Sequence, residues 1–89
     1  MPISFKVTDQ IKEMSLVVGD TIQGKETYSL GGWHEARLKL LWVGQQEAVW
    51  HLHTRTDRKP EWLDQGEAVN WTLNNRNWKI IDEQRTLQD

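Results

Sequence analysis

Apolar and polar residues alternate along most of this 89-residue chain, and a period of two is the mark of half-buried strands. The clearest stretch runs from His34 to Thr56. Ala36, Leu38, Leu40 and Trp42 fall on one parity, with Glu35, Arg37 and Lys39 on the other. After Gly44-Gln45-Gln46-Glu47 the alternation resumes. Ala48, Trp50 and Leu52 share one side; Val49, His51, His53, Arg55 and Asp57 share the other. The pattern predicts a β-hairpin with a loop of roughly three to five residues. Placing Trp42 opposite Trp50 sets Leu40 against Leu52 on the apolar face. The other face then pairs Leu41 with His51, Lys39 with His53, Arg37 with Arg55 and Glu35 with Asp57. A slip by one residue would drive both histidines among the leucines, at the cost of burying polar rings. A helix over 35–43 is the competing reading, since these residues are good helix formers and Gly44 would cap them. Sustained alternation favours the strand.

The flanking segments are read the same way. Ile3, Phe5 and Val7 alternate with Ser4, Lys6 and Thr8 and predict a first strand. Met14 to Val18 predicts a second, ended by Gly19-Asp20, with Thr21-Ile22-Gln23 beyond it. Thr8 to Glu13 has room for one helical turn. Lys25 to Leu30 is β-permissive, and Gly31-Gly32 reverses the chain. Pro60 to Gln65, ended by Gly66, predicts a short helix or 3₁₀ turn near 60–65, with proline inside its start and glycine past its end. A last hairpin is expected from Val69, Trp71 and Leu73 through Asn74–Asn77 to Trp78 and Ile80, with Trp71 opposite Ile80 and Leu73 opposite Trp78.

The expected fold is therefore mostly β: a small curled sheet or barrel of six to seven short antiparallel strands. OB-like and SH3-like barrels fit the element order; a half-barrel or sandwich is the alternative. The chain reads as a single β-rich domain over 1–82, with a frayed polar tail at 83–89. The absence of cysteine excludes disulfides and thiolate metal sites. No apolar run approaches the roughly 18 residues of a membrane helix, and the N-terminus lacks a signal-peptide pattern, so a cytoplasmic domain is expected.

Composition adds two features. Six tryptophans accompany only one tyrosine and one phenylalanine, and indoles serve both cores and interfaces. The net charge is −2, yet residues 34–59 carry five basic against three acidic side chains. The hairpin should gather Arg37, Lys39, His51, His53 and Arg55 on one face. Trp33 and Trp62, outside the regular alternation, are the candidates for partly exposed indoles beside it.

Two histidines at i and i+2 on a strand can share a metal ion if a third ligand joins them, and His34, Glu35 and Asp57 are the candidates. The string Gly44…His51-Leu52-His53…Asp57…Gly66 is similar to the first metal motif of the cupin barrels. It departs from it in both glycine spacings and in aspartate for glutamate, and no second histidine motif follows. The neighbouring arginines and lysine also disfavour a cation, so neither metal nor cofactor is expected. No nucleophile elbow or phosphate-cradling loop is present, which argues against an enzyme. The expected role is an interaction module, a homodimer or a docking partner of a larger protein, working through tryptophan-bearing surface and strand edges. Binding of single-stranded nucleic acid or another planar anion on the basic face is the alternative.

Overall fold

The structure, a computed structural model, describes residues 6–73 and 77–81. Its elements in chain order are α1 (Val7–Glu13), β1 (Thr21–Thr27), β2 (Trp33–Val43), β3 (Ala48–Thr56), β4 (Leu63–Val69) and β5 (Lys79–Ile81). The five strands form one antiparallel sheet in the order β4-β3-β2-β1-β5. The mostly β class is as expected. Among the described residues the strand count is lower and the sheet does not close into a barrel: β4 and β5 end it on opposite sides without pairing each other.

The central hairpin forms where alternation predicted it, with its register displaced by two residues. Leu40 faces Trp50, Leu38 faces Leu52, Lys39 faces His51, Arg37 faces His53 and Glu35 faces Arg55. A displacement by two changes partners but keeps every side chain on its face, so the division into an apolar and a polar side survives. Between Leu40 and Trp42 the ladder shifts by one, leaving Leu41 as the surplus residue of a β-bulge. Beyond it Trp42 pairs with Val49 on the polar side instead of with Trp50 on the apolar side.

The apolar face carries Ile22, Ala36, Leu38, Leu40, Ala48 and Trp50, all fully buried. Burying each of the larger aliphatic chains contributes about 1.5–3 kcal/mol. The Trp50 indole N–H donates to the Trp71 carbonyl at 3.0 Å, which removes the cost of hiding a polar tip in the core. Helix α1 lies over this face through Val7 and Ile11. It has no side-chain cap, and seven residues would not hold a helix alone, so packing sustains it.

Three sequence expectations fail at the ends of the sheet. Val7 belongs to α1 instead of a first strand, while Ile3 and Phe5 lie outside the described residues. The expected strand at 14–18 is instead the C-terminal cap of α1. Ser15 sits at φ 55°, its N–H donates to Lys12 and the Leu16 N–H donates to Ile11, returning Leu16 to the core. The helix or 3₁₀ turn expected near 60–65 is absent, since β4 begins at Leu63 and Gly66, at φ 80°, sits within that strand.

The last hairpin is replaced by a crossover. Among the described residues, 71–73 pair with no strand; the Gln10 side-chain amide donates to the Leu73 carbonyl at 2.9 Å and accepts from its N–H at 2.8 Å. The chain then reaches the far side of the sheet, where β5 pairs with β1 and Ile80 faces Ile22. Residues 74–76 of the expected turn, and the tail at 83–89, lie outside the described residues.

Candidate functional site

The polar face of the sheet gathers Arg37, Lys39, His51, His53 and Arg55, whereas His34 shares the parity of the buried Ala36 and lies on the other side. Successive cross-strand rows place Lys39 beside His51 and Glu67, Arg37 beside His53 and Asp64, and Lys25 beside Glu35 and Arg55. Trp33 starts β2, and Trp62 lies just before β4 instead of on a helix; both are half-buried.

These side chains form a ladder of alternating cations and indoles. The Lys25 ammonium lies 4.3 Å from the Trp33 ring centroid, and the Arg55 guanidinium lies 5.6 Å from the same ring. Arg55 also lies 4.5 Å from the Trp62 ring, and Arg37 lies 4.3 Å from it. Contacts of this kind contribute about 0.5–1 kcal/mol each at exposed sites. The two arginines, expected to face one another, thus meet through an indole that separates their charges.

Beneath the ladder lies Glu35, a buried carboxylate. It accepts from Arg55 Nε at 2.6 Å and from Gln23 Nε2 at 2.7 Å, while Gln23 accepts from Arg37 Nε and Nη2 at 3.2 and 3.0 Å. Burial alone would raise the Glu35 pKa. The hydrogen bonds from Gln23 and Arg55 and the charges of Arg55 and Lys25 outweigh it, leaving the pKa below the ordinary value. Asp57, the expected partner of Glu35, instead accepts from the Trp33 backbone N–H at 3.3 Å. A half-open depression of about 400 Å³ borders Glu35 at the β5 side, lined in part by Lys25, Thr27, Asn77 and Lys79.

The two imidazoles stack at 4.7 Å between ring centroids and 17° between planes, confirming that they share one side. His51 Nε2 lies 2.7 Å from Asp64 Oδ1, and His53 Nε2 lies 3.9 Å from Asp64 Oδ2. The hydrogen bond with His51 and one from the Gly66 N–H hold the Asp64 pKa below the usual carboxylate range. Sequence reasoning missed Asp64 because it assigned 60–65 to a helix. The carboxylate arrives only through the pairing of β4 with β3.

The other missed feature is apolar. Trp42 is 51% exposed and pairs with Val49, which pairs on its other side with Val69, 65% exposed. This row crosses the polar face next to His51. The visible signal was the unbroken run Leu40-Leu41-Trp42-Val43, in which alternation stops one residue before the indole. Comparison with protein-family models, with curated proteins and with solved structures finds no match to this chain.

Proposed function

We propose that this chain is a non-enzymatic interaction module that docks a protein partner, in the first instance a second copy of itself, through the Trp42–Val49–Val69 row and the adjoining outer edge of β4. The exposed Trp42 indole beside two valines, on a face otherwise charged, carries the reading. Tryptophan at the centre of a small apolar patch with a polar rim is the composition of interface hot spots. Among the described residues the outer side of β4 has no strand partner, and such an edge offers backbone donors and acceptors to another chain. The positive-φ Gly66 and the surplus Gln65 interrupt it, so the side-chain row dominates over edge pairing.

Sedimentation across micromolar concentrations tests self-association. The expected result is a concentration-dependent dimer that dissociates in Trp42→Ser and in Val69→Lys. A monomer at every concentration removes the second copy as partner. A dimer unaffected by both substitutions removes this surface.

The cation and indole ladder favours a second reading, the grip of a planar anion such as a single-stranded nucleic acid segment. Arg37 and Arg55 already carry Gln23 and Glu35 as partners, which places this reading behind the first. It predicts binding of an oligonucleotide that weakens steeply with salt and falls in Arg37→Ala and Arg55→Ala. A flat salt response refutes it.

A further inference from the structure

We propose that His51, His53 and Asp64 bind a divalent first-row transition ion, with Zn²⁺ as the type case, leaving at least one coordination position open to solvent. One ligand atom from each residue lies within 4.8 Å of the others. Imidazole and carboxylate ligands in a tetrahedral zinc site bind at about 2.0–2.2 Å, so their donor atoms stand roughly 3.3 Å apart. His51 Nε2 stands 2.7 Å from Asp64 Oδ1 and His53 Nε2 3.9 Å from Asp64 Oδ2, so the carboxylate must turn one oxygen toward both rings as the ion replaces the shared hydrogen. The stacked rings, 4.7 Å apart and 17° from parallel, must also tilt toward one another for both Nε2 lone pairs to meet at the ion.

The backbone presets this arrangement. Adjacent in-line positions on β3 send both rings to one side, and Gln65, the surplus residue between the Gly66 and Asp64 pairings, turns Asp64 onto their row. The Gly66 N–H fixes Asp64 Oδ1 at 2.8 Å, while Oδ2 faces His53. Each ring offers its Nε2 lone pair when its proton sits on Nδ1. Two imidazoles and one carboxylate favour zinc, nickel or copper over magnesium and calcium, which require oxygen ligands.

The surrounding charges do not prevent binding. Lys39 and Arg37 stand beside the rings on β2, but Arg37 is drawn toward Gln23 and Trp62, and Glu67 faces His51 from β4. The site borders the docking surface, sharing β4 and the row beside His51, but its ligands do not include Trp42 or Val69, so the substitutions that test the two are distinct.

Calorimetric titration of the intact chain with ZnCl₂ and NiCl₂, with MgCl₂ as control, tests the assignment. Expected is one ion per chain, no magnesium binding, and shifts of both imidazole resonances on zinc addition. His51→Gln, His53→Gln and Asp64→Asn, each checked for native circular dichroism, should lose affinity by more than the roughly 10- to 100-fold typical of removing an outer-shell partner. His34→Gln should bind as the parent does. Absence of zinc-induced shifts overturns the proposal. So does full affinity in Asp64→Asn, or an equal loss in His34→Gln.

Discussion

Gly24 on β1 has Trp78 lying against it, and replacing it with alanine sets two opposing effects against each other. Gly24 has an ordinary strand backbone, so alanine should stabilise the chain by about 0.5–1 kcal/mol through lost unfolded-state freedom. The added Cβ, however, would lie 2.8 Å from Cδ2 and Cε3 of the Trp78 ring. Carbon contacts settle at about 3.5–4.0 Å, so the ring must retreat by roughly 0.7–1.2 Å. That ring packs against the core and meets Trp71 edge-on at 6.1 Å, so it has little room to do so. Overpacking of this size costs about 1–3 kcal/mol, so the clash outweighs the gain by up to about 2.5 kcal/mol. Urea unfolding should show a lower midpoint with an unchanged slope, and thermal unfolding a drop of roughly 4–8 °C per kcal/mol. In a Trp78→Leu background the same substitution should become neutral or stabilising. An equal cost in both backgrounds, or a stabilised Gly24→Ala single variant, would refute the argument and the placement of Trp78 over β1.

Two further outcomes follow from the buried polar contacts. Glu35→Gln should cost about 1–2 kcal/mol at pH 7, by weakening its charged hydrogen bond to Arg55. Because the native Glu35 pKa is lowered from 4.5, its contribution is complete above that pH and is lost as pH falls through the native value. Urea midpoints of parent and variant should therefore converge below pH 4.5; a gap that widens there contradicts the sign. Trp50→Phe should cost about 2–4 kcal/mol, from the lost bond to Trp71 together with the vacated volume. Acrylamide should quench the parent mainly through Trp42, so Trp42→Phe removes the most accessible fluorescence and Trp50→Phe the least.

The parts of the fold governed by local periodicity were legible in the residues. Ala36, Leu38 and Leu40 against Glu35, Arg37 and Lys39 gave the hairpin, its two faces, and the gathering of His51, His53 and Arg55. Register was not legible to two residues, because such a displacement leaves the pattern of faces intact. The α1 segment left a signal in Val7 and Ile11, four apart, but the preceding Ile3-Phe5-Val7 alternation masked it. Gly66 misled because glycine ends helices and also sits at bulges, and only the pairing of β3 with β4 decides between them. Trp71, Leu73 and Trp78 were rightly assigned to the apolar side, yet their backbone partners come from elsewhere. Gln10 holds Leu73, and β1 holds the residues after Trp78. The Asp64 carboxylate was hidden for the same reason, since its neighbours belong to another strand.

Leu41 gives β2 an unusual tolerance. Excising any residue from its middle would invert one flank, sending leucines outward and charges inward. The Leu40-Leu41 pair is the exception: removing either leucine leaves the same chain, with one inward leucine followed directly by Trp42, and the other side chains of the strand keep their present faces. Loss of one residue from this strand is therefore absorbed at the leucine pair, immediately beside the exposed indole.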